Sequence, residues 1–570
     1  MTPTATASLR TGAASRRFPA VVWPVIASVV LLGPALRPGS LFNLDMVLPP
    51  RLEVPTGMWG LGPDLPRRLP LWIPISAASE VISAEWLGKL LLLFGFVGAW
   101  IGMKRLLITT GELWATSAAA IYAFSPFVIT RAAVGHFMVT VPYAVLPWVL
   151  STMMRPGRDL KRTFLAAVAL GFAGHFGGSL ALVLVGVAWL AGDRVRWLEG
   201  AGTTVVAQLP WLVPGLTVRG AGLVGSASFR TVADGPAGFA RLSAGGGFWN
   251  TYFQAGGAGI IEAVIGAGLL ALAVYGTPAL PSDLRRPLIW IGLIGWIGAA
   301  ASAVVGLRHV VDVLTDNPVG ALWREPHRLL VLHLMWLAPS ATLGARRLHS
   351  RISGRRSAWL GAIAMLPAVA GFVLAAPSAW GIGGQLEAHP IPADWRELRS
   401  AVQHDRSTVL VLPWFQYFNM QLDGGRVHRV LNPMPLYLGG DVLASSSNGL
   451  DPGVLERAEP RERKANDVVR RLERGEPIDA ELRDLGVGWI VRLNTPMDRL
   501  YRSLPENAGI DLAIEGPNLS AYRVQGESRT TAQPRWRWAA IPSLCSQLVW
   551  ISAGLLTIRA TKVSRTRRFR

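Results

Sequence analysis

One carboxylate stands alone in the polar stretch that follows the first apolar run of the chain. Asp45 is the only acid between Arg37 and Arg51. A carboxylate held where an apolar segment ends can act as a general base toward a hydroxyl group, so Asp45 is the first candidate for catalysis. The alternative is a solvated or helix-capping aspartate. Asp64, farther along the same stretch, is a secondary candidate.

A second group of reactive side chains lies in the segment Trp323–Arg328. There Arg324, His327 and Arg328 flank the carboxylate of Glu325. The planar guanidinium fork of arginine matches the geometry of phosphate, so we interpret these three cations as a phosphate site with Glu325 as a secondary member. An Arg–Glu pair that merely ties loops together is the alternative.

Arg131 and His136 form another cationic pair, in a short turn between two apolar runs. Cations at the end of apolar runs can hold a lipid phosphate, and ordinary interfacial snorkelling is the alternative. His175 is a secondary candidate because it opens a glycine-rich break in a further apolar stretch. Non-helical backbone at membrane depth is buried in protein or lines a wet cavity, although a structural hydrogen bond would explain His175 equally well.

Other classes of site are excluded by their motifs. The chain has no Walker motif, no H-E-x-x-H pair and no nucleophile elbow, and Gly424-Gly425 and Gly439-Gly440 lack a strand–turn–helix context. Its single cysteine, Cys545, allows neither an internal disulfide nor a cysteine metal site. The net charge of +20 comes from short basic clusters between apolar runs, which indicates membrane topology and no nucleic-acid partner.

The elements that must position these residues are membrane helices. Of the 570 residues 51% are hydrophobic and 16% charged, against ~25% charged in an ordinary soluble protein. The apolar residues fall in runs of roughly 17–22, long enough to cross a bilayer. We therefore predict an all-α polytopic protein of the plasma membrane with about twelve transmembrane helices, the first of them retained rather than cleaved.

The basic clusters set the expected topology and domains. When the spans are threaded, these clusters fall on one side, which places both termini in the cytoplasm. We expect a membrane domain over residues 1–376, with long external loops at 37–85, 219–257 and 307–328. The more charged stretch 377–537 is an extracytoplasmic α/β domain, and 538–570 holds the last helix and a basic cytoplasmic tail.

The α/β domain has readable elements. We expect its role to be acceptor binding or shaping of a cleft, without an active site of its own. The composition predicts helices over Trp395–Val402, Arg463–Arg474 and Ala480–Leu485, strands over Thr408–Leu412 and Gly486–Val491, and a terminal hairpin of Asp511–Ile514 and Ala521–Val524.

The whole pattern resembles the GT-C glycosyltransferases, polytopic enzymes that use polyprenyl-phosphate sugars, and in particular the membrane part of actinobacterial arabinofuranosyltransferases. The appended domain adds to the likeness through Leu485–Val491. The residues that carry the resemblance are Asp45 on a long first external loop, the run Ser125-Pro126-Phe127, Arg131, Gly135-His136, Tyr143-Ala144 and Leu146-Pro147-Trp148, and the segment Arg324–Arg328.

This resemblance implies a catalytic acid at Asp45, a lipid-phosphate donor and transfer of a sugar to a cell-envelope glycan or lipid outside the cytoplasmic membrane. Many members carry a second acid beside the first, whereas here Asn43 lies nearby and no acid adjoins Asp45. No cofactor is predicted, and a divalent metal stays open.

Two other functions compete with an inverting, lipid-linked sugar transferase. A transporter or lipid flippase fits the number of spans and the broken helix near His175, but no internal repeat is evident and charges within the spans are scarce. A non-catalytic scaffold that binds lipid or glycan fits the missing second acid.

Overall fold

The computed structural model describes most of the chain between residues 18 and 555. The described residues are 18–54, 69–154, 159–192, 197–217, 226–255, 259–316, 320–352, 359–403, 405, 407–422, 426–447, 458, 460–495, 504, 509–526, 545, 548, 551–552 and 555. Asp64 and most of the predicted last span lie outside them.

Helices dominate the first two thirds of the chain. Most of them coincide with an apolar run that the sequence identified. In chain order they are α1 Phe18–Leu32, α2 Leu69–Ala78, α3 Ala84–Leu106, α4 Glu112–Ala123, α5 Pro126–Ala133, α6 Phe137–Met153, α7 Leu160–Gly171, α8 His175–Leu190, α9 Trp197–Ala207, α10 Leu209–Thr217, α11 Gly235–Ser243, α12 Ile260–Gly276, α13 Ser282–Ala301, α14 Arg308–Thr315, α15 Leu330–Ile352 and α16 Trp359–Ala375.

The described residues contain four helices that are long and apolar enough to cross a membrane, or up to six if each sharply bent pair counts as one span. Further apolar helices, among them Phe137–Met153 and His175–Leu190, are shorter. A mostly helical membrane protein is therefore confirmed, whereas the number of about twelve spans stays a prediction.

Close helix packing depends on residues without a bulky side chain. A Cβ added to Gly276 of α12 would lie 1.9 Å from the Ser340 carbonyl of α15, and one on Gly344 of α15 would lie 2.0 Å from the Leu272 carbonyl. Likewise a Cβ on Gly295 of α13 would meet the His333 amide at 2.4 Å. Small residues let helix backbones approach in this way in membrane bundles, so α15 is locked between α12 and α13.

Two apolar runs of the sequence form broken helices. The run Leu113–Ile129 is divided into α4 and α5, which are bent by 42°. Ser125 caps α5 by accepting from the Val128 amide at 3.5 Å, and Pro126 follows at its first turn. The predicted break near His175 is present at Gly174, whose φ is +120°. However, Gly177 and Gly178 lie inside α8 and not in the break.

The β structure forms three small sheets. The strands are β1 Ser40–Asn43, β2 Met46–Val47, β3 Ala388–His389, β4 Thr408–Leu412, β5 Tyr417–Gln421, β6 Val427–Leu431, β7 Val442–Leu443, β8 Val487–Leu493, β9 Ile510–Glu515 and β10 Leu519–Val524. The largest sheet has the order β7-β4-β8-β10-β9 and is mixed, with β4 parallel to β7 and β8 and the other pairs antiparallel. The other sheets are β2-β1-β3 and the hairpin β5-β6.

The elements predicted after residue 377 are present with small shifts of their ends. The strand Thr408–Leu412 and the terminal antiparallel hairpin are confirmed. The helices in this part of the chain are α17 Ala393–Gln403, α18 Met434–Leu438, α19 Pro460–Glu473 and α20 Asp479–Asp484. This part also contacts the first loop directly, because the Phe42 and Trp395 rings meet edge to face at 5.8 Å between centroids.

Candidate active site

The loop that carries Asp45 is seated on the turn between α5 and α6. The Asp45 amide donates to the Val134 carbonyl at 3.1 Å, and the Asn43 side-chain amide donates to the Ala133 carbonyl at 2.9 Å. Gly135, at φ +74°, has no room for a side chain because an added Cβ would lie 2.4 Å from the Met46 nitrogen. The loop and the turn therefore fit each other at backbone distance.

Both oxygens of the Asp45 carboxylate have protein partners. His136 Nε2 lies 2.8 Å from Oδ2, and the Tyr417 hydroxyl donates to Oδ1 at 2.7 Å. The Asp45 side chain keeps 14% of its surface accessible, against 4% for His136. The carboxylate is thus fixed in orientation and still reachable from outside.

Arg131 is the centre of the buried part of the site, and its side chain is fully buried. Its Nη1 donates to Glu325 Oε2 at 2.7 Å and contacts His136 Nδ1 at 2.8 Å. Its Nη2 contacts His327 Nδ1 at 3.0 Å. A guanidinium group has no acceptor, so both Nδ1 atoms must accept.

These contacts fix the tautomer of each histidine. With Nδ1 accepting, His136 carries its proton on Nε2 and donates it to Asp45. His327 likewise donates from Nε2 to the Gly246 carbonyl at 2.9 Å. Both rings are neutral, and a continuous series of hydrogen bonds runs from Glu325 through Arg131 and His136 to Asp45.

Aromatic rings pack around this series of hydrogen bonds. The Arg131 guanidinium lies 4.7 Å from the Phe248 ring centroid and 5.6 Å from that of Phe127. The Phe127 ring also stacks on His327 at 5.4 Å. Apolar walls lower the local dielectric and favour the polar contacts inside, provided that every buried group is paired.

Arg328 and Arg324 complete the cationic side. Arg328 is bonded to Glu325 and lies over Phe176, whereas Arg324 is half-buried over Phe229, 5.0 Å from the ring centroid. Burial lowers the pKa of Arg324, and Glu325, Tyr417 and Asp45 act in the opposite direction, which places Arg324 within electrostatic range of the candidate base.

The electrostatic balance of the site is positive. Burial would raise the pKa of the Glu325 carboxyl, but Arg328 and Arg131 hold it well below its ordinary value. Glu325 is therefore a carboxylate, and the guanidinium groups of Arg131, Arg324 and Arg328 outnumber the carboxylates of Asp45 and Glu325. A site with this excess can accept an anionic group.

No family model matches the chain, and no curated protein matches it in sequence. Solved structures do. The cryo-EM structure of the arabinofuranosyltransferase AftD from Mycobacteria aligns with a TM-score of 0.56 at 18% identity, covering 90% of this chain and 40% of that one. A mutant of AftD aligns with a TM-score of 0.55 at 16% identity, covering 93% and 42%. The crystal structure of ArnT from Cupriavidus metallidurans in the apo state covers 90% and 98%, at 12% identity and a TM-score of 0.42.

The fold is that of the GT-C glycosyltransferases. The resemblance read from the sequence is thereby confirmed at the level of the fold. The chain spans less than half the length of the AftD structures that it matches.

Within this GT-C fold, the separate groups predicted from the sequence form one site. Asp45, Arg131, His136, Glu325, His327 and Arg328 are joined by direct contacts, with Arg324 beside them. Glu325, a secondary candidate, is a central member. His175 begins α8 and packs edge-on against Trp211, while its neighbour Phe176 faces Arg328.

Few side chains at the site could act as metal ligands. In the part of the chain that is described, no three His, Cys, Asp or Glu side chains gather as ligands. Asp45 offers a single carboxylate there, and His136 offers no free lone pair because Nδ1 accepts from Arg131 and Nε2 donates to Asp45. Among the described residues, the protein side chains alone therefore do not form a complete site for a divalent metal.

Sequence reasoning missed Tyr417 and Phe248. Tyr417 is separated from Asp45 by 372 residues, and no local motif surrounds it. Phe248 follows three consecutive glycines, a conspicuous signal in hindsight, since Gly245 and Gly247 have φ of +99° and +85° and Gly246 supplies the carbonyl for His327.

Proposed function

We propose that the chain transfers a sugar from a polyprenyl-phosphate donor to a cell-envelope glycan or lipid acceptor at the external face of the plasma membrane. The observation that carries this proposal is the accessible carboxylate of Asp45, oriented by His136 and Tyr417 and placed beside an excess of guanidinium groups. The GT-C fold supports it.

Asp45 would act as the general base. The acceptor hydroxyl oxygen forms a bond to the anomeric carbon of the donor sugar, and its proton passes to the Asp45 carboxylate. The bond between that carbon and the phosphate oxygen breaks on the opposite face, and its electron pair leaves with the polyprenyl phosphate. One displacement of this kind inverts the anomeric centre.

Arg324 and Arg328 are the groups best placed to receive the leaving phosphate. A phosphate that departs with negative charge needs electrostatic stabilisation more than protonation. Arg324 is half-buried, and the Arg328 guanidinium is held by Glu325 at one terminal nitrogen. We assign Arg131 and His327 a supporting part, because their polar contacts to each other, to Glu325 and to Gly246 hold the site together.

The membrane arrangement is part of the proposal. Residues 1–376 would form the membrane domain, with external loops at 37–85, 219–257 and 307–328, and residues 377–537 would lie outside and shape the acceptor cleft. Residues 538–570 would return the chain to the cytoplasm. The two parts of the protein that meet at Asp45 would then lie on the external face.

Orientation can be tested by cysteine labelling. With Cys545 replaced by serine, a membrane-impermeant maleimide should label Asp467→Cys in intact cells, because Asp467 is exposed on α19. Lys161→Cys, exposed at the start of α7, should be labelled after permeabilisation only. Labelling of Lys161→Cys in intact cells would overturn the arrangement.

The activity is tested with purified protein in liposomes, a panel of radiolabelled polyprenyl-phosphate sugars and envelope extracts as acceptor. Asp45→Asn should lower the transfer rate by ~10²–10⁴ because the amide cannot take a proton. Asp467→Asn, the same change at an exposed helical position, should transfer like the wild type.

The competing functions give different results in the same liposomes. A flippase would move the lipid across the bilayer without transfer, and a scaffold would show binding without turnover. An Asp45→Asn variant with the wild-type transfer rate would refute the role of Asp45 as base.

A further inference from the structure

The hairpin β5-β6 pairs with the residue that precedes Asp45. The Leu44 amide donates to the Arg429 carbonyl at 2.7 Å, and the Leu431 amide donates to the Leu44 carbonyl at 2.8 Å. Leu44 thus has both backbone groups bound to β6, across a distance of almost four hundred positions in the chain. The neighbouring Asp45 amide is bound to the membrane part, at Val134.

Leu44 adopts a conformation that needs this support. Its φ is +50°, a left-handed backbone that is unfavourable for a residue with a branched side chain. The Leu44 side chain is buried among Val134, Phe248 and Phe253, with Tyr417 packed against the group. Strained backbone of this kind persists where surrounding structure over-determines it, and here it turns Asp45 toward His136.

Tyr417 supplies the side-chain half of the same attachment. It lies at the first position of β5, opposite Leu431 in the hairpin. Its hydroxyl donates to Asp45 Oδ1 at 2.7 Å, on the oxygen that His136 does not contact. The Asp45 carboxylate is therefore bound at one oxygen by His136 of the helical part and at the other by Tyr417 of the appended part.

We propose that Tyr417 is a positioning residue for the candidate base, and that the hairpin β5-β6 of the appended α/β part completes the active site by holding Leu44 and Asp45. This inference rests on the proposed function, in which Asp45 is the base. It changes the expectation that residues 377–537 only shape a cleft or bind acceptor.

The Tyr417 hydroxyl should affect both the protonation and the orientation of the Asp45 carboxylate. A phenol donor stabilises the carboxylate and fixes its rotation, which under the proposal sets its orientation toward the acceptor hydroxyl. The other polar groups facing Asp45 are His136, from the α5–α6 turn, and Arg324, from the segment before α15. Removal of the phenol donor alone should make the carboxylate easier to protonate.

The decisive variant is Tyr417→Phe, which deletes one oxygen atom and keeps the ring. We expect kcat to fall about ten- to hundredfold, the usual effect of losing a hydrogen bond to a charged group. The KM for the lipid donor should stay near the wild-type value, and the acidic limb of the rate profile should move to higher pH. Tyr522→Phe, at a buried tyrosine of β10, is the matched control and should leave all three unchanged.

The backbone attachment is tested without relying on activity. Leu431→Pro removes the amide that donates to Leu44, whereas Leu431→Ala removes a comparable side chain and keeps the amide. By hydrogen exchange, the amides of residues 44–47 should exchange at least about tenfold faster in Leu431→Pro than in Leu431→Ala. Melting temperatures of both variants show whether the whole protein is still folded.

The outcomes separate the two proposals. If the wild type transfers sugar and Tyr417→Phe matches it in rate and pH profile, the positioning role is overturned and the proposed function stands. Equal exchange of residues 44–47 in the two Leu431 variants would overturn the backbone attachment. If the wild type transfers no sugar from any donor of the panel, the proposed function fails, while the exchange result still decides on the attachment.

Discussion

The two halves of the candidate site are built in opposite ways. Around Arg131 the side chains are buried, and Glu325, His136 and His327 contact the two terminal nitrogens of the guanidinium. Around Asp45 the carboxylate is accessible, the backbone beside it is strained, and one partner comes from a remote strand. Under the proposed function, the first half serves as a preformed scaffold, and the second is the surface on which the reaction takes place, here called the working surface.

This difference tells which substitutions should disturb folding and which should disturb turnover. A buried ion pair contributes little net stability when intact but is costly to break, because the remaining charge is left without a partner. An accessible charge can be removed with little structural effect. The contrast between the Arg131 half and the Asp45 half can therefore be tested by where each variant has its defect.

The largest effect is expected for Arg131→Ala. It leaves Glu325 with Arg328 as its remaining partner and deprives His136 and His327 of their donor. Breaking such a pair costs about 3–5 kcal/mol, a large fraction of the stability of most proteins. We expect a strongly lowered melting temperature in detergent, measured by fluorescence-detected size exclusion.

The matched control replaces all three charges of this group. Arg131→Met, Glu325→Leu and Arg328→Met together leave none of the three charges buried without a partner, and they should recover much of the melting temperature without restoring transfer. A single Arg131→Ala variant as stable as the wild type would contradict the description of this half as a scaffold.

A smaller effect, on turnover and not on folding, is expected for Arg324→Ala. Because Arg324 is half-buried and contacts phosphate in both ground and transition states under the proposal, KM for the donor should rise and kcat should fall, about tenfold or more together. Arg230→Ala is the control, since Arg230 pairs with Asp312 at 2.8 Å. A lowered melting temperature with unchanged kinetics would place Arg324 in the scaffold instead.

The sequence predicted the parts of the site better than their assembly. Asp45, Arg131 with His136, and Arg324–Arg328 were identified because charged residues at the ends of apolar runs are conspicuous. Their contacts span 91 residues from Asp45 to His136 and 194 from Arg131 to Glu325, and no local pattern encodes such a pairing. The central place of Glu325 follows from the fold alone.

The fold shows the same division between local and remote information. The strand Thr408–Leu412 was predicted with its observed ends because its β-branched and apolar residues are flanked by turn signals. The bend between α4 and α5 was missed although Ser125-Pro126 is a helix-start signature, since the apolar run continues through it. The attachment of Leu44 to β6 joins the first loop to a remote strand, and no local sequence pattern indicates it.

The smallest predicted effect concerns acid, and it tests whether the hairpin holds the working surface. His428 lies on β6 beside His389, with 5.8 Å between ring centroids. Burial, the neighbouring His389 and Arg426 lower the pKa of His428 from 6.5 to about 4. A histidine with a depressed folded-state pKa contributes its stability fully above pH 6.5, and that contribution is lost as the pH falls toward 4.

We expect hydrogen exchange of the β5-β6 amides and of residues 44–47 to accelerate in parallel across this pH window. His428→Gln, which does not titrate, should show a flatter dependence on pH across the same window. If the hairpin loosens in acid while residues 44–47 keep their protection, the two regions are not coupled, and the comparison between scaffold and working surface would have to be drawn at a different boundary.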